Sequence, residues 1–311
     1  MISIKTYSEI KTWIYRNGRD VELSLWKYHF EKGTKEDVIS ALSYYQNEDG
    51  GFGNALEPDN WNPNSTPYTT LNAISILKEI EFVDIKHPIY KGILSYLYSE
   101  KDLMEYGWSF CVPANDNYPH APWWNFKEEM NYIESIGVTS GLSVFTLKYA
   151  DKSSLLYQKA AALVKNLIDN LLTGSSFGDM GIGGYVDLIE AMKELNFSEY
   201  NYNSLQLKVK ELVKHSIESD IVKWKDYGVR PSNYIKSPQS IYYEDNKEIA
   251  KSELNYLMDT LPQNKVWGIT WTWFDNNEKY SKEFAISENW WKVIKAIEKL
   301  CFLKNFGCIE E

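Results

Sequence analysis

Apolar positions along most of the chain follow the spacing of an amphipathic helix. One apolar stripe runs through residues 38–45 and another through residues 71–80. This spacing places the apolar side chains on one helix face and predicts an all-α protein. The predicted helices cover residues 7–16, 20–31, 35–45, 67–80, 89–99, 137–149, 154–172, 185–195, 204–219, 246–258 and 287–303.

Two of these helices have clear N-terminal signals. Thr34 precedes one helix, and Asp37 follows three residues later, which is the spacing of a capping box. Thr66 is a similar cap for the next helix, and Pro67 suits its first position because no N–H donor is needed there. Both helices are therefore expected to begin at these residues.

Glycine-rich segments separate the helices. Residues 50–53 contain three glycines in four positions, a composition that ends a helix. Further segments at 106–108, 177–184, 227–228 and 261–268 are expected to be connectors of the same kind. The resulting interval of roughly 50 residues indicates repeated helix pairs that bury their faces on neighbouring pairs.

Repeated helix pairs can close into a ring or stack into an open superhelix. The long loops at one end of each pair favour the ring. We expect six helix hairpins to form one α/α-toroid domain over residues 1–311, with long loops over one mouth. The open superhelix is the competing architecture.

Aromatic content is high, at 12 Trp, 23 Tyr and 12 Phe. Such content suits either a lined cavity or a dense core between helices. The formal charge of −10 and the absence of a basic stripe argue against a nucleic-acid partner. No apolar run approaches the roughly 20 residues that span a bilayer, and the N-terminus lacks a signal-peptide core. A cytoplasmic protein with reduced Cys111, Cys301 and Cys308 is expected.

The segment Gln46 to Gly53, with the sequence QNEDGGFG, resembles the repeat signature of squalene–hopene cyclases and protein prenyltransferase β-subunits. Gln263 to Gly268 gives a second, poorer match, and Gly183-Gly184-Tyr185 a weaker one. Residues 1–125 also resemble uncharacterised bacterial proteins of this terpenoid cyclase superfamily. The resemblance implies an α/α toroid with its site in an aromatic central cavity.

Glu57-Pro58-Asp59-Asn60 has the spacing of the Asp-x-Asp-Asp motif with which class II terpenoid cyclases protonate an alkene. The resemblance makes Asp59 the proton donor and Glu57 its neighbouring acid. Glu57 and Asn60 replace two aspartates of the motif, and six residues, 61–66, separate it from the next helix. The alternative is that the two acids cap the loop and that helix.

A second candidate is the loop around His120, which lies between Pro119 and Pro122 and precedes Trp123 and Trp124. A rigid loop with a titratable ring and large aromatic side chains is typical of a binding rim. His120 is a candidate catalytic residue. The alternative is a loop that plugs the toroid, with His120 bonded to a carbonyl group.

Other tryptophans complete the predicted binding site. Trp271 and Trp273 alternate with threonine, which is more consistent with an extended loop than with one helix face. Together with Trp61, Trp108, Trp123 and Trp124 they are predicted to contact the ligand, because aromatic faces stabilise carbocations and stack on sugar rings. Packing between helices is the alternative.

No cofactor or metal is predicted. The zinc motif Asp-x-Cys of prenyltransferases and the Asp-Asp-x-x-Asp magnesium motif of terpene synthases are both absent from the sequence. Cys111, Asp116 and His120 could converge in one loop, but they are a thin basis for a metal site.

Three functions remain open. The favoured function is binding of a small apolar, isoprenoid-like molecule. Acid-catalysed conversion of that molecule is an open question. The second is carbohydrate chemistry with paired carboxylates, for which Asp179 or Asp226 would partner Asp59. The third is a non-catalytic toroid that binds a peptide or protein. Fold alone does not choose among them.

Overall fold

The computed structural model describes residues 1–195, 197, 199–262 and 266–310. The chain divides into two compact units. The terminal unit combines Met1–Ala41 with Val213–Glu311, and the inner unit consists of Leu42–Leu212. Helices dominate both units, so the predicted all-α class is confirmed. None of the described helices is both long and apolar enough to cross a membrane.

The described residues contain thirteen α-helices and one two-stranded antiparallel sheet, in which Leu103 lies opposite Trp108. The helices are α1 (Ile4–Asn17), α2 (Asp20–Phe30), α3 (Lys35–Ser43), α4 (Pro67–Glu79), α5 (Pro88–Tyr98), α6 (Glu128–Tyr149), α7 (Leu155–Thr173), α8 (Gly178–Leu195), α9 (Tyr202–Ser216), α10 (Pro231–Tyr234), α11 (Lys247–Asp259), α12 (Asn276–Lys279) and α13 (Ser281–Asn305). The strands are β1 (Leu103–Met104) and β2 (Gly107–Trp108).

Both predicted helix caps are present. The Asp37 N–H donates to the Thr34 hydroxyl, and the Asp37 carboxylate accepts from the Thr34 N–H group. The Thr66 hydroxyl accepts from the Thr69 N–H group at the start of α4, and Pro67 occupies the first turn. These bonds satisfy N–H groups that have no partner within the helix.

The prediction that residues 177–184 form a connector is wrong, because α8 begins at Gly178 and includes the remaining glycines. Gly181 and Gly184 lie at a contact with α6 instead. A Cβ atom on Gly184 would lie 2.7 Å from the Cα atom of Gly137 on α6. The Ser140 hydroxyl, also on α6, donates to the Gly184 carbonyl at 2.6 Å. Close packing of α6 on α8 therefore offsets the low helix propensity of glycine.

The core of the inner unit is built around α6, which packs against α4, α7 and α8. This helix begins at Glu128, nine residues before the predicted start at Gly137. In its first turns the buried positions are polar, Asn131 and Ser135, whereas Met130 and Ile133 are exposed, so a buried apolar stripe does not mark them. A run of polar residues on α6 is buried: Asn131, Ser135, Thr139, Ser140, Ser143 and Thr146.

The Gln46–Gly53 turn ties two helices of the inner unit, α4 and α5, together. The Gln46 amide donates to the carbonyl groups of Gly50 and of Ile89 in α5. Phe52 donates its N–H to the Thr70 hydroxyl of α4 at 3.1 Å. Gly50 has φ +88°, and a Cβ atom there would lie 2.0 Å from the Gly92 carbonyl oxygen, so only glycine fits.

The terminal unit has its own hydrophobic core. Side chains of α1, α2 and α13, among them Ile10, Trp26 and Leu300, pack in one buried cluster. A parallel bridge joins Ile2 to Ile309 beside this core. The helix predicted from residue 287 begins at Ser281 as α13.

Two sequence expectations about architecture stay predictions. Closure of the helix pairs into a toroid, with a single domain over residues 1–311, is one of them. The other is the second repeat match, of which Gln263 and Lys265 lie outside the described residues.

The glycine contact between α6 and α8 can be tested with two neighbouring substitutions. Gly184→Ala introduces a Cβ atom against Gly137 and should lower the free energy of unfolding by about 1–3 kcal/mol, the usual cost of overpacking. Gly183→Ala is the matched control, because no atom lies within 4 Å of its added Cβ. It should raise the free energy of unfolding by up to about 1 kcal/mol. Urea denaturation measures both, and equal effects would contradict the close contact.

Candidate functional site

The two loops that carry the predicted acids and His120 are paired in the inner unit. An antiparallel bridge joins Asn60 to His120. The Trp61 N–H donates to the Pro119 carbonyl at 2.9 Å, and the Ala121 N–H donates to the Asp59 carbonyl at 2.9 Å. The structure thus brings together two segments that are about 60 residues apart in the chain.

Buried amide side chains hold this pairing. The Asn115 Oδ1 atom accepts from Asn62 Nδ2 at 2.9 Å and from Asn60 Nδ2 at 3.2 Å. The Asn115 amide also donates to the Trp124 carbonyl at 3.3 Å. All three asparagines are less than 5% exposed. Asn115 and Asn62 were not among the predicted site residues, although asparagines alternate at positions 60, 62 and 64.

Both predicted acids are buried, with Glu57 3% and Asp59 1% exposed. The cap of α4 is the Thr66 hydroxyl, so neither acid is needed for that role. Glu57 lies close enough to Cys111 to act on it electrostatically. Burial, followed by the carboxylates of Asp116, Glu134 and Glu57, raises the pKa of the Cys111 thiol well above its usual range.

The His120 ring is held at both nitrogens. Its Nδ1 atom lies 2.6 Å from the Tyr118 carbonyl oxygen, and its Nε2 atom lies 2.6 Å from Asn125 Oδ1. The Tyr118 carbonyl oxygen accepts from a proton on Nδ1, and the assignment of donor and acceptor between Nε2 and Asn125 follows the tautomer of the ring. His120 therefore fixes the loop, as the alternative reading expected, and a catalytic role for it stays a prediction.

The predicted tryptophans of the inner unit differ in burial. Trp108 and Trp124 are 0% and 2% exposed, whereas Trp123 is 37% exposed. The Trp124 ring stacks on Phe110 with centroids 4.8 Å apart and meets the Tyr68 ring edge-on at 4.5 Å. Trp61 is partly buried and donates its indole N–H to the Pro58 carbonyl at 3.1 Å.

Residues 107–111 lie along α6 beside this aromatic group. The Asn131 side chain accepts from the Cys111 N–H and donates to the Cys111 carbonyl, both at 2.8 Å. Two turns further along α6, Thr139 touches Gly107, where a Cβ atom would lie 2.1 Å from the Thr139 hydroxyl oxygen. These contacts place Trp108 and Ser109 in the interior.

Several buried polar atoms of the inner unit have no hydrogen-bond partner among the described residues. All belong to side chains that are at most 2% exposed. They are the Trp108 and Trp124 indole nitrogens and the hydroxyl oxygens of Tyr96, Ser109, Thr139 and Ser143. Such groups are costly unless a hydrogen-bonding partner satisfies them. They mark this interior as a candidate small-molecule site.

Two predicted ligand contacts lie in the terminal unit. Residues 267–273 form a loop outside helices and strands, as predicted. Trp273 is fully buried against Phe284, with ring centroids 5.7 Å apart. Trp271 meets Trp291 edge-on at 5.2 Å. Participation of Trp271 and Trp273 in the site of Glu57 and Asp59 stays a prediction.

Two surface grooves lie near the inner-unit site without including its acids. One, of about 510 Å³, is lined by Tyr106 and the start of α6. The other, of about 400 Å³, lies over the Gln46–Gly53 turn. Neither is lined by Glu57, Asp59 or His120 in the part of the chain that the structure describes.

Within the described residues, no group of three or more His, Cys, Asp or Glu side chains could hold a metal ion. Of the candidate trio, His120 Nε2 lies 4.0 Å from Asp116 Oδ1, and the Cys111 thiol donates to the Trp123 carbonyl. The three side chains are therefore not arranged as one set of ligands.

Comparisons with known proteins give no family for this chain. No protein-family model matches the sequence, and no curated protein matches it.

The amide cluster offers a direct test of how the site is held. Asn115→Ala leaves the buried amides of Asn60 and Asn62 without their acceptor, so the free energy of unfolding should fall by about 2–4 kcal/mol. Asn117→Ala, at the exposed end of the same short helical turn, is the matched control and should change it by less than about 0.5 kcal/mol. Chemical denaturation measures the free energy of unfolding of both variants. A loss below about 0.5 kcal/mol for Asn115→Ala would show that the amide cluster does not hold the two loops together.

Proposed function

We propose that the inner unit binds a small isoprenoid-like molecule between its buried acids and its tryptophans, and that Asp59 and Glu57 act on it as acids. The proposal includes an α/α-toroid architecture of the terpenoid cyclase type. The resemblance of Gln46–Gly53 to the repeat signature of that superfamily supports it, as does the way this turn joins α4 and α5.

The observation that carries the proposal is the burial of two carboxyl groups on a loop that is paired with the loop of the buried Trp124. Protonation of an alkene requires a strong acid in a site without water. Glu57 and Asp59 are almost fully buried, and their loop is paired with the loop that carries Trp124. Aromatic faces such as those of Trp108 and Trp124 can stabilise the positive charge that protonation creates.

The remaining residues of the site have supporting roles in this proposal. Asn115 holds the acid-bearing loop, and His120 holds its partner loop through Tyr118 and Asn125. A proton moves from the Asp59 carboxyl to the ligand, while Glu57 stabilises the protonated form of Asp59 before the transfer. The restrained loops keep the acids in place, which lowers the cost of reorganisation during the step.

A second candidate is a hydroxylated, sugar-like ligand. The unpartnered hydroxyl and indole N–H groups of the interior favour it, because an apolar molecule would leave them unsatisfied. A ligand with several hydroxyl groups could bond to Ser143, Thr139 and Trp108 while its ring faces stack on aromatic side chains. The buried acids suit this chemistry as well.

The proposed function can be tested by binding. Farnesol should quench the fluorescence of the wild-type chain, because the proposed site includes the buried indoles of Trp108 and Trp124. Glu57→Gln and Asp59→Asn keep the side-chain shapes, so binding should persist while any conversion of farnesol, followed by gas chromatography, falls on the order of 100-fold. Glu48→Gln, on the exposed side of the Gln46–Gly53 turn, is the control. Absence of saturable farnesol binding would overturn the isoprenoid proposal.

Two serines on α6 test the second candidate. Both are fully buried, but Ser140 donates to Gly184 and Ser143 has no partner among the described residues. Ser140→Ala should cost about 1 kcal/mol of stability, whereas Ser143→Ala should change stability by less than about 0.5 kcal/mol. Only Ser143→Ala should weaken binding of glucose, maltose or cellobiose, measured by calorimetry. No sugar binding to the wild-type chain would exclude these three ligands.

A further inference from the structure

One surface groove of the inner unit carries two tyrosine rings. Its volume is about 510 Å³, which lies within the usual range of small-molecule pockets. Tyr106, in the turn between β1 and β2, lines one part of the groove, and Tyr132 of α6 lines another. The groove is therefore large enough for a small ligand and offers it aromatic contacts.

The two tyrosine rings meet almost at a right angle. Their centroids are 5.6 Å apart, and the ring planes are inclined by 79°. A compound in the angle between the rings contacts both of them at once. Because the face of an aromatic ring carries partial negative charge, such a corner attracts a positively charged group.

The backbone that carries each ring is held in place. Gly107, directly after Tyr106, lies so close to Thr139 of α6 that an added Cβ atom would be 2.1 Å from the Thr139 hydroxyl oxygen. Tyr132 follows Asn131, whose side chain ties α6 to the segment after β2 through two 2.8 Å hydrogen bonds. The two attachment points of the corner are thus fixed before a ligand arrives, which lowers the cost of binding.

Two carboxylates without partners lie on the same groove. Glu128 and Glu129 line it with exposed side chains, and neither forms a hydrogen bond or ion pair with another residue that the structure describes. Their place in the first turn of α6 suits a negative charge. Lys127 also lines the groove, so two negative side chains stand against one positive side chain. The groove therefore favours a cation.

The last lining residue indicates the kind of cation. Met130 is 51% exposed and adds a flexible apolar surface to the groove. A metal ion or a bare ammonium ion holds its water too strongly to gain from such a surface. A methylated ammonium group spreads its charge over apolar methyl groups, which suit both the rings and the thioether.

We propose that this groove binds a small methylated ammonium compound. Tyr106 and Tyr132 contact its methyl groups, and Glu128 and Glu129 supply the opposite charge. The exposed charged side chains beside the rings are unsuited to insertion among lipid chains, so the ligand is a free compound rather than a lipid headgroup. The inference does not depend on the function proposed for the interior, because the buried acids do not line this groove.

Choline is a suitable probe, with 3,3-dimethylbutan-1-ol as its control because that alcohol has the same shape without the charge. A ligand-observed NMR titration of the full chain should show saturable choline binding, with a dissociation constant on the order of 1 mM. The neutral alcohol should bind about tenfold more weakly or less well still. Raising sodium chloride from about 0.02 M to about 0.5 M should weaken choline binding, since the carboxylates are exposed.

Variants of the groove separate its parts. Tyr132→Leu should weaken choline binding about fivefold, whereas Tyr132→Phe keeps the ring and should change it less than about twofold. Tyr44→Leu replaces an exposed tyrosine of the inner unit that does not line the groove, so it is the matched control and should have no effect. Glu129→Gln should weaken binding about twofold, and Lys127→Gln should strengthen it about as much.

The wild-type chain alone can overturn the proposal, so the outcome does not depend on variants that fold. Absence of saturable choline binding, or equal binding of choline and the neutral alcohol, would refute the site. Binding of phosphatidylcholine vesicles without binding of free choline would assign the groove to a membrane and would also overturn the proposal. A failure of farnesol or sugar binding would leave the choline result untouched, since the groove and the interior have different lining residues.

Discussion

The close approach of α6 to α8 is the contact on which the inner unit depends. Two glycines, Gly137 and Gly184, let the helix backbones meet, and the Ser140 hydroxyl bonds across the contact. With α4 and α7 on its other sides, α6 is buried along most of its length. Its side chains then position the next layer: Asn131 holds Cys111 and Thr139 meets Gly107. These contacts hold residues 107–111 against α6 and so place the Trp108 indole in the interior.

Local patterns in the sequence were sufficient where the structure is decided locally. The apolar stripes predicted most helices, and the caps at Thr34 and Thr66 follow from bonds between residues three positions apart. The glycine-rich segment 177–184 was misread because glycine usually ends a helix. Its contact with α6 outweighs that preference, and no local pattern reports a partner more than 40 residues away.

The candidate site was predictable by residue type but not by contact. Glu57, Asp59, His120 and Trp124 stand out because of the motif spacing and the rigid loop. The asparagines that hold these loops do not stand out in the sequence, because Asn115 bonds to Asn62 and Asn60, which lie 53 and 55 positions away. The burial of each tryptophan was not predictable from the sequence either, since the neighbours Trp123 and Trp124 are 37% and 2% exposed. A periodic pattern cannot make that distinction in an irregular loop.

The bridge between Ile2 and Ile309 has a consequence for synthesis of the chain. Helices α1 and α2 share their core with α13. The Ile2 N–H donates to the Cys308 carbonyl, and the Glu310 N–H donates to the Ile2 carbonyl. On the ribosome, the inner unit leaves the exit tunnel complete while α1 and α2 still lack their partner. Domains generally fold in order of emergence. The segment of α1 and α2 must therefore wait, with its apolar face uncovered, until α13 has emerged.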